Sequence, residues 1–465
     1  MAPPRVAVVG AGLAGLRAAQ RLREAGARPI VLEASDSTGG RVRQRLSPWD
    51  GSLIECGAEF AHGEAAAAKR CCDALRLPTR RVFTAAHGDG GPDAHAAPDG
   101  GVALYYLAGR RLRHDADDAA FVALGGALAR LASLRVAETD ARTLREYLDD
   151  EGVPPRALPL AAASYANTLG VGSDLDCLPL RAVAELEARW LADGEGDYRL
   201  AGEGSLGALC AALLGEGELR LQWRVARIDS SGGGGVRVES DDGRVVEAEG
   251  VVVAVPVAVL RAGGLEFVPR LPPEKTAAIG SIRTLRALKL VVQFACKPYG
   301  GEALLHSMLC ADCVVPELWL RGGRRADSWI VSGFATGDFA ESLAAMPRDE
   351  ANARFVAQLA RVLPESPGLR ALQQAQRYFD VFDWGAEPHV LGGYSAPSLE
   401  ELPEARAIYR RSEAAGRVVF AGEATQESMM TMSAALDSGT RAATELIEGP
   451  LRSLLSDAPT IRSKM

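Results

Sequence analysis

The chain has 465 residues, 48% of them hydrophobic and 24% charged, with a net charge of −8. This is a globular composition, long enough for two or more domains and a buried cofactor, and its acidity argues against nucleic acid as a partner. Eight cysteines spread over this length do not form a disulfide framework.

The opening "MAPPRVAVVGAG" has a short apolar run that passes straight into glycines, unlike a signal peptide. No apolar run reaches the ~18–20 residues of a membrane span; "GVVVAVPVAVL" (250–260) is the nearest. The expectation is a soluble, intracellular protein with no membrane partner. Residues 5–35 read as strand, tight turn, helix and strand, with Leu16, Ala19 and Leu22 at helical spacing and Gly26 as the stop. Residues 86–102 lack periodicity and read as an exposed loop. "WRVARID" and "VRVES" flank "SSGGGG" as a hairpin, "VVEAEGVVVAVPVAVL" adds two strands, and "RVVFAGEAT" ends in a small-residue turn.

In "RALKLVVQF" (286–294), Leu288, Leu290, Val292 and Phe294 alternate with Ala287, Lys289, Val291 and Gln293, the period of a strand. Ala287 and Val291 make the second face partly apolar, so Lys289 needs a partner or a route to solvent. "SAALDSGTRAATELIE" (433–448) reads as a helix with Ser433 as N-cap. The helix-rich stretch 103–215 lies between strand-rich blocks, so two interleaved domains are expected. Cys310 and Cys313 form a lone CxxC, which Cys71–Cys72 does not complete as a zinc site. The six histidines include neither HExxH nor an i,i+4 pair. No metal is expected, and the CxxC is read as two reduced thiols at chance spacing.

Gly10, Gly12 and Gly15 form G-x-G-x-x-G between the first strand and the first helix, and Glu33 ends the next strand. The glycines allow a tight turn, close approach to a pyrophosphate and helix-on-strand packing, while the acid accepts ribose hydroxyls. The helix N-terminus attracts the phosphates. This fingerprint does not choose between NAD and FAD.

The choice comes from "STGGRV" (37–42), where Gly39, Gly40 and Arg41 resemble the Gly-Gly-Arg of flavin-containing amine oxidases. That family includes monoamine and polyamine oxidases, histone demethylases and L-amino-acid oxidases. "ECGAEFAHG", "RVARI", "GRVVFAGEAT" and "TMSAALDSGTRAA" resemble further family motifs in their order. The resemblance implies α/β and α+β architecture: a Rossmann-like FAD-binding domain (1–75, 205–280, 400–450) interleaved with a mixed-sheet-plus-helices substrate domain (76–204, 281–399) and followed by a tail (451–465). It implies FAD contacts at Gly10, Gly12, Ala14, Gly15, Glu33, Ala34, Gly40, Arg41, Gly57, Ala58, Glu59, Val225, Trp384, Glu423, Thr431 and Met432. Gly393 stands where monoamine oxidases carry the cysteine that bonds to FAD, so non-covalent FAD is implied.

By the same resemblance, Lys289 faces a water at flavin N5, and Tyr394 flanks the amine opposite Thr431, leaving the two-ring cage incomplete. His62 falls near the amine, and Glu59 or Glu64 would attract a second ammonium. The implied reaction is hydride transfer from an amine to flavin, imine hydrolysis and reduction of O2 to hydrogen peroxide. Polyamines (spermine, spermidine or acetylated forms) are the first reading and monoamines the second. "GAEFAHG" lacks the arginine that would hold an amino-acid carboxylate, and no coiled-coil insertion suggests a demethylase. A catalytically idle FAD-binding interaction protein would have lost Lys289 and Tyr394, and both are present. Ser463-Lys464-Met465 resembles a peroxisomal address, so the peroxisome, with its import receptor as partner, is the expected location, and the cytoplasm the alternative.

Overall fold

The computed structural model describes residues 2–82, 101–112, 118–137, 139–194, 196–201, 204–301 and 304–456. The expected import signal at 463–465 lies outside them, as does the expected loop except for Gly101 and Val102, and Val102 opens a strand.

Five parallel strands form one sheet, in the order Glu218–Arg220, Arg28–Leu32, Arg5–Val9, Gly250–Val253 and Val418–Phe420. The central three read as nearly unbroken Val, Ile and Leu because both faces are covered. The Leu13–Glu24 and Met432–Glu448 helices share a core on one face. On the other face lies the hairpin sheet of Val245–Ala248, Val236–Ser240, Val225–Asp229 and Glu266–Val268. Gly10 turns the chain with φ +104°, and a Cβ on Gly15 would lie 1.9 Å from the Gly10 carbonyl oxygen. The helix therefore starts directly over the strand, with its free N–H groups at the sheet's carboxyl edge.

A second, seven-stranded sheet runs Gln376–Asp383, Ala287–Phe294, Trp329–Thr336, Glu317–Gly322, Leu305–Cys310, Val102–Leu107 and Arg110–Leu112. It is antiparallel except where Leu305–Cys310 meets Val102–Leu107. All eight residues of Ala287–Phe294 are buried. Leu288, Leu290, Val292 and Phe294 enter one core, while Ala287 and Val291 join Trp384, Ile54 and Cys56 in another. The polar residues on that second face are satisfied inside the protein. Gln293 accepts from Ser47 Oγ at 2.5 Å and donates to Ser328 Oγ at 2.8 Å.

Thr431, not Ser433, caps the last long helix: its Oγ1 accepts from Ala434 N at 3.0 Å. Ser433 is already inside the helix, and its Oγ accepts from Ala68 N at 3.1 Å. No helix among the described residues is long and apolar enough to cross a membrane.

Candidate active site

A cleft of about 1900 Å³, its open mouth included, runs from the Gly10–Gly15 turn to the seven-stranded sheet. Its first end fits a dinucleotide. Nothing lies within 4 Å of where a Cβ on Gly12 would stand, so the space over the helix N-terminus is open. Glu33 is held by Ala11 N (2.7 Å) and by Ser35 N and Oγ (both 2.8 Å), which aims a fixed carboxylate at the cleft wall. Arg41 donates to Gly393 O at 2.7 Å and Glu423 Oε1 at 3.0 Å. Burial opposes ionisation of Glu423, but Arg41, Ser395 Oγ at 2.6 Å and Arg406 outweigh it and hold its pKa below the ordinary value. The capped start of the last long helix, at Thr431 and Met432, completes this wall.

Lys289 stands in the middle. Its Nζ donates to Glu59 Oε2 at 2.5 Å and to Gly57 O at 3.1 Å, and lies 5.1 Å from the centre of the Trp319 ring. Its partner within the protein is thus a carboxylate, where the sequence suggested only water. Glu59 also accepts from Arg199 Nη2 at 2.6 Å, and Arg321 lies 4.0 Å away. Burial would raise the Glu59 pKa, yet these cations hold it well below the usual range. The expected role of Glu59 as an anchor for a second ammonium is therefore corrected: its charge is already met by Lys289 and Arg199. Glu64 is exposed and outside the cleft wall.

At the far end, Trp319, Phe334 and Tyr394 form a row. The Trp319 and Phe334 rings stack with centroids 5.7 Å apart, and Phe334 and Tyr394 with centroids 6.5 Å apart. Tyr394 donates to Thr168 O at 2.6 Å, and burial pushes its phenol pKa far up, so it stays neutral. His62 Nδ1 is 2.5 Å from Asp197 Oδ1. Burial would depress the His62 pKa, but Asp197 raises it above the ordinary value. Glu317, 3% exposed, accepts one hydrogen bond from Trp319 Nε1 at 3.2 Å. Burial pushes its pKa up to about 8, against the opposing pull of Trp319, His62 and Lys289. A buried carboxyl with such a shift in a cleft marks a functional candidate.

The cleft wall brings together Gly12, Ala14, Glu33, Gly40, Arg41, Gly57, Ala58, Glu59, His62, Lys289, Trp384, Tyr394, Glu423, Thr431 and Met432. Gly10 and Gly15 lie beneath the turn rather than on the wall, and Ala34 follows Glu33 without reaching it. The Val225 side chain packs into the core with Trp223, Val9 and Leu32, and Val255, Pro256 and Val257 supply the apolar wall of the cleft. Sequence reading missed Glu317, Trp319 and Phe334. The one available signal was strand alternation, which puts Glu317 and Trp319 on the same face.

The sequence matches the family model described as flavin containing amine oxidoreductase over residues 13–447. It is 25% identical to polyamine oxidase 4 of Oryza sativa subsp. japonica, over 95% of this chain and 88% of that one. It is 27% identical to lysine-specific histone demethylase 1B of Mus musculus, over 95% of this chain and 52% of that one. A solved putrescine oxidase bound to putrescine superposes with a TM-score of 0.78 at 21% identity, over 96% of this chain and 99% of that one. The fold is that of the flavin amine oxidases, and the residues of the cleft fit FAD as the cofactor. The chain belongs to the flavin-containing amine oxidoreductase family.

Proposed function

We propose that this oxidoreductase takes di- and polyamines, with Glu317 as the anchor for an ammonium remote from the oxidised carbon. FAD held by the Gly10–Gly15 turn, Glu33, Arg41, Glu423 and the Thr431 helix end supplies the hydride acceptor, with O2 as the final acceptor. The aromatic row of Trp319, Phe334 and Tyr394 orients an extended aliphatic chain and excludes water from it. Lys289, tied to Glu59, keeps a cation fixed beside the reacting end. A second ammonium there would meet like charge, so it is directed toward Glu317.

The observation that carries this reading is the Glu317 carboxyl itself. It is buried, holds a single hydrogen bond among the described residues and is poised to ionise near neutral pH. A monoamine offers it nothing; a second ammonium converts a costly buried acid into a paired one. The relatives named polyamine oxidase and the fold shared with putrescine oxidase support the same substrate class. Anaerobic mixing of the FAD enzyme with spermine, spermidine, N-acetylspermine, putrescine, butylamine and amino acids tests it. Bleaching at 450 nm (roughly the flavin band) by the multiply charged amines is expected. Bleaching by butylamine as fast as by putrescine, or by amino acids alone, would refute the reading.

A further inference from the structure

The Leu305–Cys310 and Glu317–Gly322 strands pair antiparallel, and the turn joining them carries the CxxC. Asp312 has φ +55°, and Cys310 N donates to Pro316 O at 2.7 Å. The chain doubles back here, and the two thiols lie close enough to shift each other's ionisation. The Arg348–Val362 helix lies over this turn and offers two side chains from one face. Gln358 clasps Val315, donating to its O at 2.7 Å and accepting from its N at 2.9 Å. Arg361 Nη2 donates to Cys313 Sγ at 3.2 Å. Cys310 is 1% exposed and Cys313 7%, while Arg361 is exposed. One sulfur thus sits near the surface under a guanidinium, and the other sits behind it.

We propose that Cys313 and Cys310 form a reversible disulfide on exposure to hydrogen peroxide, with Cys313 as the attacking sulfur and Cys310 as the resolving thiol. The roles follow from the asymmetry of the pair. The neighbouring Cys310 thiol, and then the Arg361 guanidinium 3.2 Å away, favour the Cys313 thiolate, whereas burial disfavours ionisation of Cys310. The Cys313 thiolate attacks one peroxide oxygen, the O–O bond breaks, and the departing hydroxide takes a proton to become water. The sulfenic acid so formed is attacked by the Cys310 sulfur, which has given up its proton; the S–O bond breaks and a second water leaves. The sulfur pair loses two electrons and the peroxide gains two. Among the described residues no group of three His, Cys, Asp or Glu could hold a metal, so the pair lacks the further ligands zinc needs. Glu317 and Trp319 follow on the second strand of the same hairpin, so the bond would tighten the segment that shapes the amine end of the cleft.

The test uses the FAD-loaded enzyme without amine, so its outcome does not depend on the substrate assignment. The protein is treated with hydrogen peroxide, alkylated, digested and read by mass spectrometry, with the partly exposed Cys177 and Cys296 as internal controls. The peptide spanning 310 and 313 should lose two hydrogens and both alkylation sites, reversibly with dithiothreitol, at about tenfold lower peroxide than the controls require. Arg361→Gln should slow this about fivefold or more, and Arg361→Lys should largely restore it. In Cys310→Ser, dimedone should label Cys313. Oxidation of the pair no faster than that of Cys177 and Cys296, or an unchanged rate in Arg361→Gln, would overturn the proposal. So would dimedone labelling of Cys310 in Cys313→Ser with none of Cys313 in Cys310→Ser.

Discussion

At its dinucleotide end the cleft is walled by backbone and by charges already matched within the protein. The Gly10–Gly15 turn, Glu33 bound to Ala11 and Ser35, and the Arg41–Glu423 pair are all fixed before any ligand arrives. The amine end is walled by side chains from widely separated segments, among them His62, Thr168, Lys289, Glu317–Trp319, Phe334 and Tyr394. Its charges are unequal: Glu59 is saturated by two cations, while Glu317 is left with one hydrogen bond. The contrast shows how one cleft separates holding a cofactor from choosing a substrate. The first end is rigid and shape-determined; the second is electrostatically poised.

The contrast breaks most severely at Gly15. A Cβ there would lie 1.9 Å from the Gly10 oxygen, so Gly15→Val must open the helix–strand junction. Purified Gly15→Val should carry almost no FAD by its absorption spectrum and melt well below the parent, a loss of about 3 kcal/mol or more. FAD content matching the parent would show that the junction is not what forms the cradle.

Next in size is Lys289→Met. It leaves Glu59 to Arg199 and the more distant Arg321, and removing one partner of a buried ion pair costs about 3–5 kcal/mol when nothing else compensates. With Arg199 2.6 Å away, the expected loss is about 2 kcal/mol, and Lys289→Met/Glu59→Gln should recover part of it. FAD should remain bound, while stopped-flow rates of reduction or reoxidation fall about tenfold or more (~1.4 kcal/mol). Rates within about twofold of the parent (~0.4 kcal/mol) would leave Lys289 a structural residue.

A comparable but pH-dependent effect belongs to Glu317. Its carboxyl ionises near 4.5 ordinarily and near 8 in the fold. Between those values the native state keeps a proton that the unfolded chain has lost, so this group's contribution to stability falls as pH rises through that window. Glu317→Gln cannot ionise, so its stability relative to the parent should rise between pH 5 and pH 8 by roughly 3 kcal/mol. Denaturant melts at the two pH values check this, and a constant difference would mean that Glu317 is already ionised at pH 5.

The smallest effect is expected from Tyr394→Phe, which keeps the ring beside Phe334 and removes only the bond to Thr168 O. About 1 kcal/mol of stability should go, with turnover changed less than about threefold. A larger kinetic loss would give the hydroxyl a direct part in the reaction.

The parts of this architecture that reveal themselves in sequence are local ones. Gly10, Gly12, Gly15 and Glu33 lie within one strand–helix–strand unit, and each has a backbone reason to be what it is. The Ala287–Phe294 strand shows its period, and Lys289 stands out as a charge among apolar neighbours. The partner of Lys289 does not show, because Glu59 is 230 residues away in the chain. Glu317 stays hidden for a related reason. In "VVPELWLRG" it reads as the polar member of an ordinary alternating strand, and only the packing of the seven-stranded sheet over the cleft makes that face an interior wall. Thr431 and Ser433 are both good caps by type, so the sequence does not separate them, and the hydrogen bond to Ala434 N decides for Thr431.

The most direct test of the account compares kcat/KM for putrescine and butylamine in the parent and in Glu317→Gln. The two substrates differ at the far end, where putrescine carries the ammonium that Glu317 is argued to meet. The account predicts a loss of about tenfold or more for putrescine (~1.4 kcal/mol) and less than about twofold for butylamine, with FAD content unchanged. Equal losses for both substrates, or none for putrescine, would contradict it.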